Sequence, residues 1–411
     1  MKRNLITTIK LSKNFIKIVC LEKISTNLVE IFNNTLWTIK PLEQSSFIKK
    51  SISEINEKIA GEIKSVIAIV ESNKKTNLEV NIIDKKINLA SSHVTKTDVE
   101  NLIALAKKTS TIEGKEIILS QPIKFNLMDV TTKTYNKAPL NKKGHELGIR
   151  IAISTIASDV YRYVKDIITS SNLELLQIVT DTHTFAHETI SGSALAEGAI
   201  SLHTGMERTS VTINTNFATI SILEFDLGYA KLIKAVSQKF NCSEEVASNL
   251  LRIHGNLNSK NNEVIFTSNR GIDIVSHTEK DLCKIIEQFV HKIATFTQAY
   301  IEKYESLKNL SITISGEITS IRNIIEFTKE IFSTEYVKMY KPLTFISLNI
   351  QNLETIATNN LIERYNNLIG RTFDTIVMTN PNSIEIFKNS KKSKFKIFMN
   401  NILGGIYERT K

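Results

Sequence analysis

Apolar residues recur with strand and helix periods from the start of the chain. Residues 5–10, 15–22 and 28–37 are rich in Ile, Val and Thr, which predicts three consecutive strands. The next segment predicts an amphipathic helix, because its apolar residues recur at helical spacing: Phe47, Ile48, Ile52, Ile55 and Ile59. The apolar run at 64–70 predicts a buried strand. These elements together predict a β-β-β-α-β unit.

Residues 80–165 form a second block with a different order of elements. Strand patterns at 79–90, 115–130 and 146–155 alternate with helical patterns at 95–109 and 157–172. In the first helix, Thr97 and Glu100 have the spacing of a capping box. Since 173–180 then resembles a strand of the first block, the pattern predicts a small α+β domain inserted in a larger one.

The opening pattern returns at residue 198. Three strand patterns lie at 198–204, 208–214 and 217–225. The elements expected after them are helices at 229–239 and 243–252, short strands near 263–276, a helix over about 278–305, a strand at 309–316 and a helix at 320–332. The same opening twice in one chain predicts a duplicated α/β domain with insertions.

Composition narrows the classes of partner and compartment. The net charge is +10, but the lysines are spread along the chain and aromatic residues make up only 7%. Because the sequence has neither interleaved basic and aromatic residues nor zinc-finger spacing, we do not expect nucleic-acid binding.

The three cysteines are Cys20, Cys242 and Cys283. Their odd number and wide spacing predict a reducing compartment without disulfides. No apolar run forms a signal-peptide core or approaches the roughly 18 residues of a spanning helix.

The C-terminal segment has a basic start and one apolar helical face. The basic residues are Lys391, Lys392, Lys394 and Lys396, and the apolar face consists of Phe395, Phe398, Met399, Ile402, Leu403 and Ile406. A basic amphipathic helix that is too short to span a bilayer is typical of an interfacial membrane anchor. The alternative is a terminal helix packed on the protein's own core.

One histidine pair has the spacing of metal ligands. His183 and His187 lie one helical turn apart, but no cysteine is near and the glutamate lies outside the pair. We therefore interpret this segment as an ordinary surface or half-buried helix, and we predict no metal site. The sequence contains no nucleophile elbow, P-loop or Gly-rich dinucleotide loop.

Three stretches resemble the FtsA family of bacterial cell-division proteins, within the actin-like ATPase superfamily. They are the inserted block, whose order of elements is similar to that of the family's 1C insertion, the segment "EEVASNLLRIHGN" and the C-terminal tail. The insertion is the specific part, because other actin-like proteins place theirs elsewhere; the PilM family of pilus-assembly proteins shares the placement.

The resemblance implies an actin-like (ribonuclease H-like) α/β fold built from duplicated β-β-β-α-β domains, with an SHS2-like α+β insertion and a C-terminal amphipathic helix. The implied subdomains are 1A (1–80 and 167–197), 1C (81–166), 2A (198–228 and 307–380), 2B (229–306), a linker (381–392) and a membrane-targeting helix (393–411).

The resemblance also locates a degenerate ATP site. The family's first phosphate hairpin has Asp and Gly where this chain has Lys10 and Ser12, followed by Lys13. In the second hairpin Gly205 and Thr209 match, while His203 and Ser210 replace two acids and Met206 and Glu207 replace glycines. Gly316 matches the glycine under the adenosine. Lysine can contact a phosphate but cannot organise hydrated Mg²⁺, so we expect no Mg²⁺ site and weak or no ATPase activity.

The function implied is that of a peripheral adaptor on the cytoplasmic face of the inner membrane at the division site. The implied partners are the acidic C-terminal peptide of FtsZ, anionic lipids, further copies of the chain in filaments, and other division proteins through 1C. Lys284 and Lys292 on the long helix are the candidate contacts for FtsZ. The alternatives are an active actin-like ATPase and a PilM-like cytoplasmic scaffold.

Overall fold

The computed structural model describes residues 2–24, 27–37, 40–190, 192–270, 273–303, 310–334, 336–339 and 376–378. The chain divides into two compact units. Unit 1 comprises Met1–Ile69, Val164–Gln177 and Asp374–Lys411, and unit 2 comprises Val70–Tyr163 and Ile178–Phe373.

The first sheet has the strand order β3-β2-β1-β4-β9, with β17 paired to the start of β1. Its strands are β1 (Lys2–Leu11), β2 (Ile16–Ile24), β3 (Asn27–Leu36), β4 (Ser65–Val70), β9 (Glu174–Thr180) and β17 (Ile376–Met378). Helix α1 (Pro41–Ile59) packs on β2 and β3. As predicted, α1 is amphipathic: Ile48, Ile52, Ile55 and Ile59 are buried.

The second sheet repeats the order of the first. Its order is β12-β11-β10-β15-β16, so in both sheets the first three strands form an antiparallel meander and two later strands follow at the first strand's other edge. The strands are β10 (Ala199–Thr204), β11 (Thr209–Thr215), β12 (Ala218–Phe225), β15 (Ser311–Gly316) and β16 (Val337–Met339). The predicted duplication is confirmed.

A separate four-stranded sheet lies in the chain between β4 and β9. It has the order β5-β8-β6-β7. Its elements are β5 (Glu79–Asn88), α2 (Lys96–Thr109), β6 (Lys115–Met128), β7 (Thr132–Tyr135) and β8 (Glu146–Ala157), and α3 (Ser158–Ser170) follows. We call β5 to β8 with α2 the inserted sheet. An α+β block was predicted here.

The predicted capping box of α2 is wrong by two residues. Thr95, not Thr97, is the N-cap: its Oγ1 accepts from the Asp98 N–H at 3.2 Å, and the Asp98 carboxylate accepts from the Thr95 N–H at 2.8 Å. Glu100 is not the reciprocal partner. The two Thr-x-x-acid pairs overlap in the sequence, and the first is used because Thr95 has the extended backbone of an N-cap.

The remaining elements lie on either side of the second meander in the chain. They are α4 (Asp181–Thr189), α5 (Gly192–Glu197), α6 (Tyr229–Phe240), α7 (Glu244–His254), the hairpin β13 (Val264–Arg270) and β14 (Asp273–Thr278), α8 (Glu279–Ile301), a 3₁₀ turn (Glu317–Ser320) and α9 (Ile324–Phe332). Two of them, α4 and α5, precede the second meander, and the others follow it. One core joins the second sheet, α6 to α9 and the inner side of the inserted sheet, where Ile123 and Ala152 contribute buried side chains.

Candidate functional site

The first hairpin closes its turn with its own backbone. The Ser12 N–H donates to the Phe15 carbonyl at 3.0 Å. Lys10 lies opposite Lys17 across the hairpin, and its Nζ lies 5.8 Å from the centre of the Phe15 ring. Since the Ser12 amide is used within the turn, this hairpin does not present that N–H to a phosphate. Lys13 is exposed in the same turn.

The second hairpin is bonded to the start of α6. The Gly205 N–H donates to the Arg208 carbonyl at 2.8 Å, which closes the turn between β10 and β11. The N–H groups of Tyr229 and Ala230, in the first turn of α6, donate to the carbonyls of Gly205 and Met206, both at 2.9 Å. Free N–H groups at a helix start are what binds an anion. Here two of them are already bonded to the hairpin.

Gly228 makes this arrangement possible, and sequence reasoning missed it. A Cβ at Gly228 would lie 2.2 Å from the Met206 carbonyl oxygen and 2.3 Å from the Glu207 carbonyl carbon. Only glycine therefore fits where the chain enters α6 against the turn. The signal in the sequence was a lone glycine directly before an amphipathic helix.

Of the two glycines predicted to bind nucleotide, only Gly316 has a backbone that requires glycine. It has φ +85°, and a Cβ would lie 2.2 Å from the Thr204 carbonyl oxygen. Gly205 has only ordinary contacts, with its closest neighbour at 3.5 Å. Gly316 thus lets β15 end close to β10, a structural role that stands whether or not a nucleotide binds.

Thr209, the other residue of the predicted nucleotide set in this hairpin, is fully buried. Its Oγ1 donates to the Leu227 carbonyl at 2.6 Å and lies 3.4 Å from the Thr204 hydroxyl. A hydroxyl that is buried and bonded to a backbone carbonyl is not oriented toward a ligand. Thr209 holds the segment between β12 and α6 against the hairpin.

His203 is the residue that the sequence resemblance aligns with the first acid of the FtsA family's second hairpin. Its Nδ1 lies 3.0 Å from the Ser315 hydroxyl, and its ring stacks on Phe185 with centroids 3.9 Å apart and planes 15° apart. Its cross-strand partner is Ser210. An imidazole held by stacking and a hydroxyl has no carboxylate charge with which to order Mg²⁺-bound water. Within the described ranges, no cluster of three or more His, Cys, Asp or Glu is arranged to hold a metal.

The acids near the second hairpin neutralise Arg208, the last residue of its turn. Arg208 forms ion pairs with Asp226 at 3.0 Å and with Glu224 at 3.6 Å. Lys74 Nζ lies 2.7 Å from the other oxygen of Asp226, and the Thr182 hydroxyl donates to Glu224 at 2.5 Å. The hydrogen bond from Lys74 is the main cause that lowers the pKa of Asp226. This ionic cluster was not predicted, because its members are far apart in the sequence.

The histidine pair was predicted to be exposed or half-buried, and this is wrong. His183 and His187 are 0% and 3% exposed. His183 hydrogen-bonds Ser154 of β8 through Nε2 at 2.9 Å and Thr180 through Nδ1 at 2.7 Å. His187 Nε2 lies 3.3 Å from the Gln121 side-chain nitrogen on β6. The spacing puts both rings on one side of α4, where they contact two strands of the inserted sheet.

Gln121 extends this contact to β12. Its side-chain oxygen accepts from the Thr219 N–H at 3.2 Å, and the Thr219 hydroxyl donates to Asn214 at 2.8 Å. Gln121, Thr219 and Asn214 are all buried. A buried, bonded polar network fixes one packing between elements, so within unit 2 the inserted sheet is tied to α4 and to the second sheet.

The candidate partner surface lies on α8. Lys284 and Lys292 are both exposed there. One turn beyond Lys292, Phe296 is 53% exposed, and its ring centroid lies 5.1 Å from that of Phe225. The face therefore combines two cationic groups with an exposed aromatic ring.

The predicted membrane-binding residues 391–406 lie outside the described residues. Among the residues that the structure does describe, no helix is both long and apolar enough to cross a bilayer.

Comparisons with known proteins find likeness in structure only. No protein-family model and no curated protein matches the sequence. The structure is similar to a PilM–PilN type IV pilus biogenesis complex, with a TM-score of 0.52 and 10% identity over 88% of this chain and 98% of that one. MreB5 of Spiroplasma citri bound to ADP matches with a TM-score of 0.49 and 11% identity over 88% and 96% of the two chains. With its two sheets of repeated order, the chain has the actin-like ATPase fold.

Proposed function

We propose that this protein is a peripheral membrane adaptor of bacterial cell division, of the FtsA type. Its actin-like body is a scaffold with weak or no ATPase activity. Its α8 face binds the acidic C-terminal peptide of FtsZ, and its basic amphipathic tail binds anionic lipid on the cytoplasmic face of the membrane. The protein also associates with further copies of itself in filaments. Its inserted sheet contacts other division proteins.

The observation that carries this proposal is the place of the inserted sheet in the chain. It lies between the fourth and fifth strands of the first repeat, and it is a four-stranded sheet with one helix. An insertion at this place is shared by the FtsA and PilM families among actin-like proteins. This supports a scaffold of one of these two types.

The two hairpins support a body that does not turn over ATP. The Ser12 N–H and two N–H groups of α6 are bonded within the protein. In the resemblance to the FtsA family, the cross-strand partners His203 and Ser210 replace two acids that would order Mg²⁺. An active actin-like ATPase is therefore disfavoured, since phosphoryl transfer depends on the metal and on oriented donors.

A PilM-type scaffold is the second candidate, and the likeness to the PilM–PilN complex favours it. At 10% identity that likeness concerns the fold. The tail separates the two candidates: a basic amphipathic segment at 391–406 supports direct lipid binding, whereas a PilM-type protein binds the N-terminal peptide of a membrane protein.

Liposome co-sedimentation tests the proposal. We expect the full chain to pellet with vesicles that contain anionic lipid and to pellet poorly with zwitterionic vesicles. A chain that ends at residue 389 should lose most of this binding, because it lacks both the basic and the apolar residues of the tail. If the shortened chain bound as well as the full chain, the tail anchor would be wrong. If neither chain pelleted with anionic vesicles, the PilM-type scaffold would be favoured.

A further inference from the structure

Aromatic and basic side chains gather at the turn end of the first hairpin. We call Lys10, Lys13, Phe15, Lys17 and Trp37 the aromatic–lysine corner. Trp37 is 74% exposed, and its ring lies 5.0 Å from that of Phe15 at an angle of 52°. Lys10 Nζ lies 5.8 Å from the centre of the same Phe15 ring. A large aromatic side chain this exposed beside cationic groups is typical of a contact surface.

The corner is held on a closed, well-packed hairpin. Leu11 and Ile16 pair across the two strands and are buried beneath it, and Ile16 also pairs with Leu36, the residue before Trp37. The Ser12–Phe15 hydrogen bond closes the turn. The aromatic pair is thus presented by a rigid element, which reduces the entropy lost when a partner binds.

The hairpin segment of the corner is rich in lysine. The first acid of the whole chain is Glu22, so residues 10–17 contribute three lysines and no carboxylate. Lys10 and Lys17 lie directly opposite on neighbouring strands, so both side chains are on the same face of the hairpin. An anionic surface on that face would contact both lysines.

We propose that the aromatic–lysine corner is a second membrane contact that binds an anionic lipid surface. Indole rings favour the boundary between headgroups and acyl chains. Each lysine near anionic lipid strengthens binding about fivefold. A single reversible anchor becomes stable when a second contact joins it. This inference rests on the proposed membrane function and adds a second site to it.

The path of the chain allows both contacts to act on one bilayer. β17 pairs with the start of β1, with Met378 opposite Lys2. From Lys2 to the corner at Lys10 the strand rises about 27 Å. Residues 379–390 can span about 40 Å when extended, which exceeds that distance. The tail beginning at Lys391 is therefore long enough to reach a membrane that the corner also touches.

Fluorescence tests the proposal directly, because Trp37 is the only tryptophan in the chain. The full chain and the chain ending at 389 are titrated with vesicles that contain anionic lipid, with and without brominated acyl chains. We expect the Trp37 emission of the full chain to shift to shorter wavelength and to be quenched by the brominated lipid. Lys13→Glu in the shortened chain should weaken its residual lipid affinity about fivefold or more. The control Lys49→Glu, an exposed lysine on α1, should change it less than twofold.

The two proposals fail in different ways. If the full chain pellets with vesicles through its tail while Trp37 emission stays unchanged, the proposal that the corner binds lipid is wrong and the proposed tail anchor is supported. If brominated lipid quenches Trp37 but removal of the tail leaves vesicle binding unchanged, lipid binding by the corner is supported and the proposed tail anchor is wrong. If a soluble acidic peptide shifts Trp37 emission and brominated vesicles do not quench it, the corner binds a protein and the lipid proposal is overturned.

Discussion

His183 on α4 and Ser154 on β8 share a hydrogen bond of 2.9 Å between Nε2 and Oγ, in a setting closed to solvent. Thr180 bonds the other ring nitrogen. Both nitrogens are therefore paired with neutral hydroxyls, and no carboxylate is among these bonded partners. Burial disfavours the imidazolium and lowers the pKa of His183 from 6.5 to about 4. The pair makes the packing of the inserted sheet sensitive to acid.

Stability should therefore fall between pH 7 and pH 5. The pKa of His183 is lower in the folded state than in the unfolded state, so only the unfolded chain takes up the proton in this range. The free energy of unfolding should decrease by about 2 kcal/mol from this residue alone. Denaturant unfolding at both pH values measures the loss. His183→Gln should make the pH dependence shallower, and an unchanged slope would contradict the assignment.

Replacement of Gln121 should lower the free energy of unfolding, although this residue belongs to no predicted binding site. In Gln121→Met the buried Thr219 N–H loses its acceptor while the side-chain volume is nearly kept. An unsatisfied buried donor costs about 1–3 kcal/mol, which denaturant unfolding will detect. The control Gln288→Met changes an exposed residue on α8 and should alter stability by less than about 0.5 kcal/mol. Equal effects of the two changes would show that Gln121 is not an anchor.

The two glycines of the predicted nucleotide site should respond differently to alanine. Gly316→Ala combines a positive φ with a Cβ 2.2 Å from the Thr204 carbonyl, so it should destabilise the fold by about 3 kcal/mol. Gly205→Ala meets only ordinary contacts and should stay within about 0.5 kcal/mol. Thermal unfolding of both variants is the measurement. A large loss in Gly205→Ala would mean that the hairpin turn is tighter than its geometry indicates.

The repeated meanders, the inserted α+β block and the amphipathic helices were predictable, because each depends on a local apolar period. The ion pairs and hydrogen bonds around the second hairpin and α4 could not be predicted from the sequence. Arg208 pairs with Asp226 and Lys74 reaches the same carboxylate, but no period links residues so distant in sequence. The histidine pair is a second example. Its spacing predicted that both rings lie on one face of a helix, but only the tertiary structure shows that Ser154 and Gln121 contact these rings.

Magnesium should not strengthen ATP binding. In the resemblance to the FtsA family, Lys10, His203 and Ser210 replace the acids that would order its water shell. Titration with ATP, with and without Mg²⁺, should give affinities within about twofold, which is less than 0.5 kcal/mol. Turnover should not exceed that of a protein-free control. Hydrolysis that requires Mg²⁺ and disappears when residues 203–210 are altered would contradict the scaffold proposal.

The α8 face should bind the acidic FtsZ peptide mainly through charge. Lys284→Glu with Lys292→Glu reverses both exposed cations, and affinity should fall about tenfold or more, with a weaker salt dependence than in the unaltered chain. Fluorescence anisotropy of a labelled peptide measures both quantities. Phe296→Ala should also weaken binding, because this ring is the apolar part of the face.

The matched control reverses two exposed lysines elsewhere, Lys49 on α1 and Lys108 on α2. It produces the same net charge, so a purely non-specific attraction between the basic chain and the acidic peptide would fall equally in both double variants. A loss confined to Lys284 and Lys292 would locate the peptide on α8. If neither double variant weakened binding while Phe296→Ala did, the peptide would bind this face through apolar contact, and the predicted recognition by charge would be wrong.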